Sequence, residues 1–439
     1  MSVISRRSRA LGGFAVLASS ALLLAGCASG STGTATTAAA AAYKAIDCAA
    51  GATSADTLKV GGLLPVTGSL SFLGPPEIAG VGLAIADINA AGGVGGKDVC
   101  YYGKDSGDSS DMAVSTASAQ DLIKNNVSVV IGAASSSVSL NVVDSFTAAK
   151  IVEISGANTS AKLSGYSPFY FRTAPPDTVQ GSALGQLVTG DGNASVAFIV
   201  FNDSYGTGLR DATQAAIETA GGKVVYGGKG MGQEFPPGQT TFSSEVTAAL
   251  AAKPDAVVVV AFDETKSIVP EMVNQGWTMS KTYFTDGNTA SYEKDFQAGT
   301  LAGAQGTIPG ASPSSDLKVR LSDWNVAVQG AALTDFTYAA ESYDATTLAA
   351  LAAVKGGKTD PVTIQANMAA VSGANGGTKC ATFADCVVLI KDGKDIQYQG
   401  PSSIGPFNAK NDPSSAFIGI YKFDAKNIPV WGSAVEGKS

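Results

Sequence analysis

Short apolar runs alternate along this chain with longer stretches in which apolar residues recur every three or four positions. The run "TLKVGGLLP" (residues 57–65) has strand character. In "PPEIAGVGLAIADINAAGG", which follows, Ile78, Val81, Ile85 and Ile88 fall on one helical face. Pro76 suits its first turn and Gly92 its C-terminal cap. The spacing then predicts a strand at "KDVCYY", a helix over residues 111–124, a buried parallel strand over 127–131, another helix and a strand at "IVEIS". Paired prolines in "FYFRTAPPD" (169–177) interrupt the rhythm, and a second series begins. It runs through "SVAFIV", a helix after Tyr205, "KVVYG", a helix from about Ser243, "AVVVVA" and "TYFTDG". After a Gly/Pro-rich break at 303–310 the chain reads as strongly helical over 317–355, and "AFIGIYKF" is a last strand-rich piece. Repeated β-α units of this kind predict an α/β fold with two doubly wound parallel-sheet lobes and a cleft between them. Ligands of such sheets bind at the carboxyl ends of the strands.

One junction carries candidate chemistry. In "VVIGAASSSVSLN" (129–141) Gly132 ends the strand, and Val138, Val142, Val143 and Phe146 open a helical pattern. Ser135, Ser136 and Ser137 therefore stand where a strand turns into a helix, a place that exposes hydroxyls and free N–H groups. They could serve as a nucleophile, an anion clamp or a helix cap.

Composition narrows the choice. The 439 residues are 45% hydrophobic and 15% charged, with a formal net charge of −8 and no histidine. The length suggests two or three domains, and the acidic balance argues against nucleic acid as a partner. Without histidine there is no Ser-His-Asp or Cys-His nucleophile pair and no His-containing zinc site. A hydrolase built on the serines also lacks a GxSxG elbow. Metal or Ser-Lys chemistry survives that argument, but nothing in the sequence suggests either, so no enzymatic activity, metal or cofactor is expected. No GxxxxGK[ST] phosphate loop is present either.

The N-terminus reads as an address. Arg6, Arg7 and Arg9 precede a short apolar segment (11–24) ending in Leu24-Ala25-Gly26-Cys27, which resembles the lipobox of bacterial lipoproteins. That resemblance implies a signal peptide over 1–26, a lipidated Cys27, and export with attachment to the outer face of the cytoplasmic membrane. The tract "ASGSTGTATTAAAAA" then reads as a flexible tether. Export favours disulfides. Cys48, Cys100, Cys380 and Cys386 allow three pairings. Cys48–Cys100, which pins the end of the tether, with Cys380–Cys386, which staples a loop, is the expected one.

The ordered set of segments resembles one family. "VGGLLPVTGSLSFLGPPEIAGVGLAIADINAAGGVGGKDV" (60–99) is similar to the opening of substrate-binding proteins of branched-chain amino acid ABC transporters, the leucine/isoleucine/valine-binding group of type I periplasmic binding proteins. "IGAASSS", "ISGANTS", "FRTAPPD", "NDSYGTGL", "YFTDGN" and "YDATTLAALAA" follow in that family's order. The resemblance covers residues 57–421 and implies two lobes, a three-crossing hinge and closure around a ligand. The chain is then divided into a signal peptide (1–26), the lipidated cysteine and tether (27–56), lobe 1 (57–175 and 306–400) and lobe 2 (176–305 and 401–439).

The same resemblance implies a ligand set. Ser136 would hydrogen-bond an α-carboxylate, Thr159 would offer its hydroxyl and N–H, and Ala157 would give its carbonyl to the ammonium. Tyr205 would face the cleft, and Asp286, where relatives carry glutamate, would pair with the ammonium. Leu73, beside Phe72, and Phe262 would border an aliphatic side chain. The expected function is that of an extracytoplasmic, lipid-anchored binding protein of an ABC importer. It would be a monomer that takes a small, aliphatic amino acid and docks on a membrane permease. Alternatives are a ligand sensor on the same fold, or an importer component for amides, urea or aromatic acids.

Overall fold

The central Val/Ile-rich runs, 129–132, 196–200 and 256–260, form strands in which every residue is buried, as expected for sheets with helices on both faces. In the computed structural model residues 43–48 and 56–439 are described. The first β-α series comprises β1 (Lys59–Leu64), α1 (Gly74–Ala90), β2 (Cys100–Asp105), α2 (Met112–Lys124), β3 (Val129–Gly132), α3 (Ser136–Ala148), β4 (Val152–Ser155) and β5 (Tyr170–Arg172). Its strands pair in parallel in the order β2-β1-β3-β4-β5. The second series comprises α4 (Asp177–Gly190), β6 (Ser195–Val200), α5 (Ser204–Thr219), β7 (Lys223–Tyr226), α6 (Ser243–Ala251), β8 (Ala256–Val260), α7 (Thr265–Asn274), β9 (Thr282–Phe284) and β10 (Gln305–Pro309). The chain then runs through α8 (Ser315–Gln329), α9 (Ala339–Gly356), α10 (Pro361–Ser372), β11 (Thr378–Cys380), α11 (Phe383–Lys391) and β12 (Ile396–Tyr398). It ends with β13 (Ser415–Phe423) and β14 (Pro429–Lys438).

The second sheet has the order β14-β13-β10-β9-β8-β6-β7. It is parallel except at one edge, where β13 runs antiparallel to both β10 and β14. This hairpin departs from the all-parallel expectation. Residues in β14 are mostly exposed and alternate weakly, so its pattern lacks the apolar run that marks the buried strands. Strand β10, which spans the boundary expected at 305/306, belongs to the second sheet.

The stretch expected to be one helical region is two helices. Gly330, at φ +82°, caps α8, and residues 331–338 separate it from α9. Helix α9 is alanine-rich and almost wholly buried, packed with β1, β3 and β4 in one apolar cluster. Small side chains let it approach α1 closely: a Cβ on Gly80 would collide with the carbonyl of Ala339. Both disulfides have the expected pairing, Cys48–Cys100 and Cys380–Cys386. The first closes a separation of 52 residues, which contributes on the order of 4 kcal/mol in a chain-entropy account. Cys27 and the apolar segment before it lie outside the described residues.

One ion pair ties the crossings to the cleft. Arg172, at the end of β5 and fully buried, donates from Nε to Asp412 at 2.6 Å, just before β13. Its Nη1 donates to the carbonyls of Ser160 (2.9 Å) and Asn158 (3.3 Å), and its Nη2 donates to Ser164. The guanidinium thus clamps the backbone on either side of Thr159. Removing one partner of a buried pair costs about 3–5 kcal/mol because the other charge stays buried. Asp412→Ala is therefore expected to lower the urea-unfolding free energy by about that amount; an unchanged midpoint and slope would contradict the clamp.

Candidate functional site

Each of the three serines ends up with its own task, set by its position on the first turn of α3. Ser135 is the N-cap, with its Oγ 3.4 Å from the amide of Val138. Ser137 reaches the other lobe, 2.9 Å from the Ser204 hydroxyl and 3.2 Å from Asp203 Oδ2, and it accepts the Ser204 amide. Ser136 lies between them and lines a small cavity with Leu70, Leu73, Ala134, Ser135 and Ala157. Thr159, Tyr205, Phe262, Asp286, Gly287 and Tyr338 complete the lining.

Of the residues expected to contact a ligand, Ser136, Ala157, Thr159, Tyr205, Asp286, Leu73 and Phe262 come together there. Phe72 does not. It belongs to the single 3-10 turn Ser71–Leu73, whose tight winding turns neighbouring side chains to different sides. Leu73 faces the cavity, while Phe72 faces a separate apolar groove with Pro65, Val66 and Pro75. A second difference concerns Thr159. Its N–H, expected to point at a ligand, donates to Ser136 Oγ at 3.3 Å, as does the Ser160 amide at 3.2 Å. With both lone-pair directions engaged, the Ser136 hydroxyl keeps its own proton to donate. The Thr159 hydroxyl is buried and has no hydrogen-bond partner.

Asp286 is the charged residue of the lining. It is 5% exposed, and burial raises its pKa above the usual carboxylate range, with hydrogen bonds from Tyr338 and Tyr205 opposing that shift. Tyr205 donates to Oδ1 at 2.8 Å and Tyr338 to Oδ2 at 2.6 Å. The Tyr205 oxygen in turn accepts the Gly287 amide at 3.2 Å, and its ring stacks on Phe262 with centroids 5.3 Å apart. Asp177 stands close by, fully buried; burial pushes its pKa well up, the nearby Thr159 hydroxyl opposes that shift and the Asp286 charge adds to it. No lysine or arginine lines the cavity. One wall therefore offers a carboxyl group without a cation, and the opposite wall offers two hydroxyls at a helix N-terminus, where negative charge is favoured. Leu70, Leu73 and Phe262 supply the apolar part.

The lobes are closed tightly on this space. It measures about 10 Å3, roughly the room needed for one water, so anything larger enters only when the lobes part. Closure is held at its edge by the Ser137–Ser204 contact and by a bond from Ser160 Oγ to the Ser204 carbonyl (3.1 Å).

Tyr338 is the residue that sequence reasoning missed. It immediately precedes α9 and adopts a left-handed conformation, φ +60°, uncommon for a side chain of its size. The available signal was an aromatic pair, Phe336 and Tyr338, after the break at Gly330 and directly before a helix of small residues. Leu70, Ala134 and Gly287 were likewise not anticipated, because nothing in their local pattern separates lining from core.

Comparison with known proteins places this geometry in a class. The periplasmic binding protein profile matches residues 57–387, so the chain belongs to the periplasmic binding protein family. It is a family of solute-binding proteins, not of enzymes. Among curated relatives, a chemotactic signal transduction system substrate-binding protein, BasB of Halobacterium salinarum, is 24% identical over 380 residues, 82% of this chain and 85% of that protein. The leucine-, isoleucine-, valine-, threonine- and alanine-binding protein of Pseudomonas aeruginosa is 29% identical over 41% of this chain and 48% of its own length. Among solved structures, the branched-chain amino acid transporter substrate-binding protein LivJ of Streptococcus pneumoniae, in complex with isoleucine, superposes with a TM-score of 0.69 at 22% identity. That alignment covers 87% of this chain and all of the other. A solute-binding protein of an ABC transporter from R. palustris, in complex with 4-hydroxybenzoate, gives 0.67 at 19% identity, covering 88% and 98%. These likenesses establish the type I periplasmic binding protein fold.

The two tyrosine donors provide a direct check on the Asp286 environment. Tyr338→Phe and Tyr205→Phe each leave a buried carboxyl oxygen short of a donor, so each is expected to lower the unfolding free energy by about 1–3 kcal/mol in urea titrations. Unfolding curves that match the parent chain would mean that the carboxyl is not held in this way.

Proposed function

We propose that the chain is the substrate-binding component of an ABC importer and takes a small amino acid with an aliphatic side chain between its lobes. The observation that carries this reading is a buried carboxyl, Asp286, lining a cleft that has no basic residue. An ammonium group completes that wall, and a charge-assisted bond of this type contributes about 1.5–3 kcal/mol. The ligand carboxylate then meets Ser136 and Thr159 at the start of α3, and Leu70, Leu73 and Phe262 border the side chain. An aromatic acid would satisfy the α3 end but bring no cation to Asp286, whose oxygens are held by the two tyrosine hydroxyls, which favours an amino acid over the benzoates held by some structural neighbours. Closure would present both lobes to a permease. Cys27, lipidated within its lipobox-like sequence, would hold the protein on the outer face of the cytoplasmic membrane, with the stretch after it as tether.

A sensor role is the second reading, favoured by the relative from Halobacterium salinarum, whose name assigns it to chemotactic signal transduction. The binding step would be the same and the partner different. Capture of a transporter permease from membranes, rather than a signalling receptor, separates the two.

Thermal unfolding of residues 28–439 against a panel of amino acids, amides, urea and aromatic acids tests the ligand class. A ligand at a hundredfold excess over its Kd stabilises the folded chain by about 2.7 kcal/mol. Leucine, isoleucine or valine is expected to raise Tm clearly. A rise with 4-hydroxybenzoate or urea alone would overturn the amino-acid reading.

A further inference from the structure

Tyr338 has two faces. Its hydroxyl donates to Asp286 in the cleft, and the same residue lines a second, larger cavity of about 200 Å3. That cavity lies where the end of β10, the segment before α9 and the β13–β14 hairpin meet. Phe336, Tyr338, Tyr421 and Trp431 give it aromatic walls, and the rings of Tyr421 and Trp431 meet edge to face at 5.4 Å.

Its charged feature is Glu341, in the first turn of α9. The side chain is 4% exposed and lines the cavity, yet no donor from another residue reaches its carboxylate among the described residues. Space for that carboxylate exists because residue 310 is glycine: a Cβ there would collide with Glu341 Oε1. Glu77, fully buried beside it, also has no partner on either oxygen, and repulsion from Glu341 adds to burial in raising its pKa. Glu341 itself is pushed up to about 8, by burial first and by Asp344 second. The other charged groups of the lining are already engaged. Asp335 accepts the Thr337 amide at 2.8 Å. Lys318 donates to Ser312 at 3.0 Å, sits 5.8 Å from the Phe336 ring centre, and forms no ion pair with Glu341 or Asp335.

We propose that this cavity is a second ligand site, distinct from the cleft, that takes a small organic ammonium ion between the Glu341 carboxylate and the faces of Tyr421 and Trp431. A buried carboxyl that no donor from another described residue reaches supplies the anionic contact, and aromatic faces attract a cation through their quadrupoles. The size of the cavity suits an amine carrying one ring or a short alkyl body. Because Tyr338 lines both spaces, an occupant here presses on the residue that holds Asp286, so occupancy is coupled to the cleft. This proposal goes beyond the importer reading and does not need it.

The test uses benzylamine as the probe and benzyl alcohol as its uncharged counterpart, added to residues 28–439 at pH 8.5 while tryptophan emission is followed. Benzylamine is expected to give a saturable change, with benzyl alcohol at least tenfold weaker. Glu341→Gln should weaken benzylamine at least tenfold. Glu341→Asp, which keeps the charge on a shorter arm, should fall between the two, and both variants should show a cooperative unfolding transition. Trp431→Phe should remove the emission change while benzylamine still raises Tm. Equal binding of benzyl alcohol, undiminished binding in Glu341→Gln, or no saturable response would overturn the proposal. A response lost in Asp286→Asn but kept in Glu341→Gln would place the amine in the cleft and overturn it equally.

Discussion

A carboxyl group closed between two lobes is the constraint around which the rest of this molecule is arranged. Asp286 has lost most of its water, and burial of that kind is tolerated only with donors on its oxygens. The donors come from two elements of different origin: Tyr205 from the start of α5, and Tyr338 from the segment that leads into α9. Tyr205 is fixed by stacking on Phe262 and by the Gly287 amide. Tyr338 is fixed by its left-handed backbone and by the buried helix that follows. The carboxyl is therefore held across the lobes, and its geometry depends on their closure.

The facing wall follows from the same logic with the sign reversed. A helix N-terminus, a serine with a proton to give and an unpartnered threonine hydroxyl collect where α3 begins. Arg172 keeps that wall in place from behind by holding the carbonyls that flank Thr159 and anchoring on Asp412. Since Asp412 lies near the last passage between the lobes, the hinge and the binding wall share one buried guanidinium. Loss of that anchor would be felt in both.

Much of this was legible in the sequence, for physical reasons that can be named. Strands such as Ala256–Val260 are continuous apolar runs because they are covered on both faces, and their valines, rather than the alanine and leucine of the buried helix α9, mark them as strands. Ser135, Ser136 and Ser137 stood out because they follow a strand at a place where α/β sheets present their polar groups, whereas Ser136 among them, with Thr159, Tyr205 and Asp286, was singled out by the resemblance of its segment to the family's. What escaped was set by tertiary context. Tyr338 gains its role from a backbone turn and a partner 52 residues away, which no local period encodes. Phe72 and Leu73 are neighbours in sequence, and only the winding of one short turn decides which of them faces the cleft. Strand β14 was hidden because an exposed edge strand needs no apolar run.

The most direct measurement is a calorimetric titration of residues 28–439 with leucine and, side by side, with 4-methylpentanoate, which keeps the carboxylate and the branched side chain but lacks the ammonium. If Asp286 receives the ammonium, 4-methylpentanoate should bind at least tenfold more weakly than leucine, a difference of about 1.4 kcal/mol or more. Equal affinities for the two would contradict the pairing of Asp286 with an ammonium group and, with it, the role of the cleft as an amino-acid site.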